Sequence, residues 1–172
     1  MSIGISTACL YPMQTDEALL HLAKAGVRDV EIFFNAQCET EGELLQSLVD
    51  IQKQYGLTVR AVHTYCAFAD SALLFRQYQN RLQDGIALYR GLCRACRALS
   101  CDLLVLHGDS EYTPDCGKQR LTEPEYVDRF ALLRRVVLEE PQREPPRVHE
   151  TAAFFADGGE RGSDRLLYRA GV

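Results

Sequence analysis

What the sequence lacks narrows the field first. No apolar run approaches the ~20 residues that a membrane-crossing helix needs. The start, Met1-Ser2-Ile3-Gly4-Ile5-Ser6, has neither the basic region nor the long apolar stretch of a secretion signal. Both absences point to the cytoplasm and away from a membrane partner. There is no glycine-rich phosphate loop, no Ser-His-Asp order and no pair of CxxC motifs at zinc-ribbon spacing, which removes several enzyme classes. Positive charge is short: 19 Lys and Arg stand against 24 Asp and Glu, a formal charge of -5. Residues 1–140 carry that whole excess, and residues 141–172 balance at five Arg against five acids. Without a basic stripe the chain is a poor partner for nucleic acid. A few placed arginines and backbone N–H groups could still hold one small anion. Proline is scarce as well, with three of six residues packed into 141–146 as Pro141, Pro145 and Pro146.

What is present is ordinary for a globular protein: 47% hydrophobic and 25% charged residues, in a chain of 172 that can build one proper core. Seven cysteines, an odd number scattered over the chain, fit free thiols in a reducing compartment. Cys93 and Cys96 form a single CxxC on the apolar face of a predicted helix, which reads as buried thiols in place of a metal or redox site.

Taken in order, the chain alternates strands and helices. Residues 3–7 read as a strand. Thr15 is expected as the N-cap of a helix with Asp16 and Glu17 in its first turn, an apolar stripe of Leu19, Leu22 and Ala23, and a stop at Gly26. Val27 to Phe34 reads as a second strand with Glu31 inside it. A helix over about 43–55 carries Leu44, Leu48, Ile51 and Tyr55 on one face and ends at Gly56. Thr58 to His63 is the third strand. A long helical region over about 72–99 follows, with Leu82, Ile86, Tyr89, Cys93 and Cys96 at helical spacing, weakening at Gly85 and Gly91, and a break before Asn80. Asp102 to Asp109 holds four consecutive aliphatics, the mark of a strand buried on both faces. Thr122 and Glu125 form a capping box for a helix to about Glu139, striped by Tyr126, Phe130, Leu133 and Val137. Residues 1–140 thus read as one unit of consecutive βα repeats on a parallel sheet. Residues 141–172 read as an irregular Pro/Gly-rich tail with a possible fifth strand at 147–150.

Two of these strands end on histidine, His63 and His107. Neutral imidazoles are common ligands for zinc-like ions, and neighbouring strands can bring two rings together. The plainer account has each ring capping a strand or bonding a loop carbonyl. Glu150, ending the possible fifth strand, is a candidate third ligand or a base beside a carbonyl, or else a solvated tail residue. Glu31 needs a partner if its strand is buried: it would face substrate, or pair with an arginine. Asp109 could orient His107, or simply begin a loop.

The stretches AGVRDVEIFF (25–34), YGLTVRAVHTY (55–65) and LLVLHGD (103–109), with RVHET (147–151), resemble the xylose isomerase-like barrel superfamily, most of all its sugar phosphate isomerase/epimerase branch. The resemblance implies an α/β fold, the N-terminal portion of a TIM (β/α)8 barrel, holding about four βα units and a possible fifth strand. It implies metal-dependent proton transfer on a keto sugar or sugar phosphate. Glu150 and Glu31 would be the catalytic carboxylates; His63, His107 and Asp109 would bind substrate; Glu150, His107 and His63 would ligate a divalent Mn, Mg, Co or Zn. The related abasic-site DNA endonucleases are the alternative, with metal-ligand histidines at the same two positions. Such a barrel takes about 250 residues. The chain is therefore expected to be C-terminally truncated, and it could be a non-catalytic half-barrel prone to self-association through open sheet edges.

Overall fold

A computed structural model of the chain describes residues 3–65, 67–108, 121–139 and 147–150. Five strands form one sheet in the order β1-β2-β3-β4-β5, every neighbouring pair parallel. They are β1 (Ile5–Ser6), β2 (Asp29–Phe33), β3 (Thr58–His63), β4 (Leu103–Leu106) and β5 (Arg147–Glu150). Among the described residues five α-helices connect or flank them: α1 (Thr15–Lys24), α2 (Gly42–Tyr55), α3 (Ala67–Leu74), α4 (Gln79–Ala98) and α5 (Glu123–Glu139). Strand order that never reverses is the winding of a barrel; a doubly wound sheet reverses at a switch point.

The alternation of side chains explains why one face holds the core. Val30 and Ile32 of β2, Val59 and Val62 of β3, and Leu104 and Leu106 of β4 are buried with Leu19, Leu48, Leu92, Cys93 and Leu133 from the helices. Glu31, Phe33 and His63 alternate with them and therefore project from the opposite face, the interior side of a barrel. A bulge between Val30 and Glu31 skips Arg60, pairing Val30 with Val59 and Glu31 with Ala61. It brings Phe33 level with His63 at the strand ends.

The helices follow the expected stripes with local differences. Thr15 is not the N-cap of α1. Gln14 holds that place without a side-chain cap bond, and Thr15 is buried because its hydroxyl is used elsewhere. On α2 the buried face centres on Leu48 and Val49, with Leu45, Ile51 and Tyr55 packed beside it, while Leu44 lies out at the rim. Gly56 ends α2 in the left-handed conformation, φ 62°, where a Cβ would be strained. The expected break before Asn80 is real and divides the region into α3 and α4, with Phe75–Tyr78 between them. One half of the expected capping box forms: the Glu125 carboxylate accepts from the backbone N–H of Thr122, and from its hydroxyl as well, both at 2.8 Å. These bonds lower the Glu125 pKa. Cys93, Cys96 and Cys101 are buried free thiols. No helix among the described residues is long and apolar enough to cross a membrane.

Candidate functional site

The buried run of β4 and the apolar half of β3 place two imidazoles side by side at the C-terminal end of the sheet. His63 is the last residue of β3, and His107 directly follows β4. Their rings meet edge to face, centroids 4.5 Å apart at 84°. The far side of His63 stacks on Phe33 at 4.6 Å and 22°.

Each ring is tied by one nitrogen. His63 Nδ1 lies 2.9 Å from the carbonyl oxygen of Thr64, which can only accept, so Nδ1 carries the proton and Nε2 is the lone-pair nitrogen. Burial lowers the His63 pKa, only partly opposed by that carbonyl, and the ring is held neutral. His107 Nδ1 lies 3.0 Å from Oδ2 of Asp70, whose other oxygen accepts the Tyr89 hydroxyl at 2.6 Å. Among the described residues neither Nε2 is engaged, so both lone-pair nitrogens remain for a ligand.

The sequence reading missed Asp70 and Tyr89. The signal was there: Asp70 is a lone carboxylate in the apolar stretch Ala67-Phe68-Ala69-Asp70-Ser71-Ala72-Leu73-Leu74, and a buried carboxylate requires partners. Asp109, read as orienting His107 or simply beginning a loop, lies outside the described residues. Asp70, 37 residues upstream, supplies the orienting carboxylate.

Glu31 sits half-buried on the same sheet face, and its Oε1 accepts the Ser6 hydroxyl at 2.7 Å. It does not pair with the neighbouring arginine, because Arg60 turns instead to Asp29. Glu31 lies near enough to raise the His63 pKa electrostatically, against the larger effect of burial. Glu150 is level with Leu106 in the β4–β5 register, and its side chain lies outside the described residues.

A second polar knot closes the end of β2. Glu39 is buried and accepts from the backbone N–H of Asn35 at 2.6 Å and of Ala36 at 3.2 Å, and from the Thr15 hydroxyl at 2.9 Å. Thr15 Oγ1 also accepts from Asn35 Nδ2 at 2.9 Å. Glu39 thus joins α1 to the chain leaving β2 and is occupied structurally.

A divalent catalytic ion ordinarily takes about three protein ligands. The two histidines supply two nitrogen donors, and no group of three or more His, Cys, Asp or Glu able to hold a metal occurs among the described residues. That set alone does not complete a metal site. What it can do is present two acceptor nitrogens, an aromatic face and a carboxylate on one side of a sheet. The arrangement suits a ligand rich in hydroxyls.

No protein-family model matches the chain, and no curated protein matches it. Solved structures do. A xylose isomerase-like TIM barrel/4-hydroxyphenylpyruvate dioxygenase fusion protein superposes with a TM-score of 0.59 at 18% identity, covering 86% of this chain and 21% of its own. A D-allulose 3-epimerase from Methylomonas sp. gives 0.56 at 14% identity, covering 81% and 49%. A xylose isomerase domain protein from Planctomyces limnophilus gives 0.54 at 15% identity, covering 86% and 52%. The fold is therefore that of part of a TIM barrel, and the chain spans at most about half the length of these structures.

Proposed function

We propose that the chain forms part of a sugar isomerase or epimerase acting by proton transfer on a keto sugar or sugar phosphate. The observation that carries this reading is the histidine pair, both rings tied through Nδ1 with both Nε2 atoms left to accept from substrate hydroxyls. A barrel of this winding keeps its chemistry at the C-terminal strand ends, where the pair stands. The similarity in fold to a D-allulose 3-epimerase supports the same class.

In this reading the Nε2 atoms of His63 and His107 accept from hydroxyls of the sugar. Phe33, stacked against His63, offers an apolar wall to the sugar's C–H face. Glu31 is one candidate for the carboxylate that takes a proton from the carbon beside the carbonyl, and Glu150 is the other. Returning that proton to the neighbouring carbon, while the hydroxyl proton passes from one oxygen to the other, isomerises the sugar; a proton given to the opposite face of the same carbon by the second carboxylate epimerises it. Neither course changes the net oxidation state. A divalent ion (Mn, Mg, Co or Zn) belongs to the proposal as a group that would polarise substrate oxygens, with Glu150 joining the two histidines.

The test is interconversion across a panel of ketoses and ketose phosphates, with and without each metal, read by chromatography beside the melting temperature. Conversion that His63→Gln and His107→Gln each reduce by about 100-fold or more supports the reading. No conversion of any sugar, with no metal changing the melting temperature, overturns it.

A further inference from the structure

The carboxylate of Asp70 is fully buried and receives three donors. These are the Tyr89 hydroxyl at 2.6 Å on one oxygen, and the backbone N–H and Nδ1 of His107, both at 3.0 Å, on the other. Such a group is costly to bury, and its partners decide what it accomplishes. Two of the three belong to His107. The third comes from α4, where burial first and Asp70 second push the Tyr89 phenol well up, so its hydroxyl stays protonated and donates.

We propose that Asp70 is the positioning residue of the site: it fixes His107 as the Nδ1–H tautomer in one orientation, with Tyr89 fixing Asp70 in turn. A free neutral imidazole favours the proton on Nε2, which would leave a donor where the site needs an acceptor. An ionised carboxylate can only accept, so at Nδ1 it imposes the opposite tautomer. Holding both the backbone N–H and the ring of one residue leaves the ring no rotation that keeps both bonds. His63 reaches the same tautomer through the Thr64 carbonyl, so two unrelated acceptors give the two rings matching lone pairs. Matching outcomes from different means mark the lone pairs as the purpose of the arrangement. The inference extends the reading of the pair as ligand-facing, but its test needs neither sugar nor metal.

The experiment is ¹⁵N NMR of the histidine rings in the ¹⁵N-histidine-labelled full chain at pH 8, with His107→Gln assigning the signals. Wild type is expected to show protonated Nδ1 and unprotonated Nε2 at His107. Asp70→Leu combined with Tyr89→Phe removes the carboxylate and its hydroxyl donor together, which spares the fold a stranded hydroxyl. In that variant His107 is expected to move its proton to Nε2, while His63 keeps its own on Nδ1. A folded double variant whose His107 retains the Nδ1 proton overturns the proposal. Tyr89→Phe alone keeps the ring and decides the matter should the double variant not fold. It is expected to speed exchange of the His107 Nδ1 proton by about tenfold, from loss of one bond to a charged acceptor, with Leu104 amide exchange unchanged. Unchanged Nδ1 exchange, or equal acceleration throughout the core, refutes Tyr89's part and with it the chain of positioning.

Discussion

Replacing Gly85 with alanine tests why α3 carries Asp70 to the right place. Inside a helix, alanine is ordinarily better than glycine by about 1 kcal/mol. At Gly85 the added Cβ would stand 2.6 Å from Leu74 Cδ2 and 3.1 Å from Leu73 Cβ. Leu74 is completely buried and has little room to turn, and a Cβ cannot move without its helix. Overpacking of this kind costs about 1–3 kcal/mol. The clash therefore outweighs the gain, and Gly85→Ala is expected to destabilise by up to about 2 kcal/mol net. Gly91, two turns along α4, is the control: a Cβ there meets only Arg94 Nη2 and Thr40 Oγ1, both at 3.8 Å in ordinary contact. Gly91→Ala should then stabilise by up to about 1 kcal/mol. Urea unfolding followed by circular dichroism reads both. With a slope of about 2 kcal/mol per molar, the Gly85→Ala midpoint falls by up to about 1 M and the Gly91→Ala midpoint rises by up to about 0.5 M. If both midpoints rise together, the close approach of α3 to α4 is not what Gly85 serves. Pushing α3 away should also loosen the Asp70–Tyr89 bond, because that bond spans the same two helices.

Other outcomes follow from the same geometry. His63 has a lowered pKa in the folded protein, so the unfolded chain binds its proton more readily. Its contribution to stability is intact above the unfolded value of about 6.5 and is lost as pH falls through the lowered folded value. Melting temperatures from pH 8 to 5 should fall more steeply for wild type than for His63→Gln, and parallel curves would contradict the assignment. Glu39→Ala strands the N–H groups of Asn35 and Ala36 and is expected to cost about 2–4 kcal/mol in urea unfolding. A loss below about 0.5 kcal/mol would mean the knot is not structural. Gly56→Ala forces a Cβ into φ 62° with nothing nearby to hit, so its penalty of about 1 kcal/mol should be purely conformational. Gly56→Asn, which tolerates that region, should recover part of the loss in the same assay.

The repeat of strands and helices was legible because burial leaves a period. Leu82, Ile86, Tyr89, Cys93 and Cys96 spell one face of α4, and Leu103 to Leu106 spell a strand with no solvated side. The two site histidines were legible for a related reason, since a polar residue that ends an apolar run marks where a strand leaves the core. Thr15 misled because a threonine before acidic residues usually caps a helix. Here the tertiary demand of Glu39 for a donor outweighed the local preference.

The sequence by itself thus determined the elements, their order and the strand ends at which His63 and His107 stand, because these depend on spacing within a few residues. Tertiary structure alone decided the partners. Asp70 reaches His107 across 37 residues and Tyr89 across 19, and Phe33 meets His63 only through the bulge that resets the β2–β3 register. Such pairings depend on how closely α3 packs against α4 and how strands align, neither of which leaves a period in the chain. That is why the strand-end histidines could be read from the sequence while the pairing of Asp70 with one of them could not.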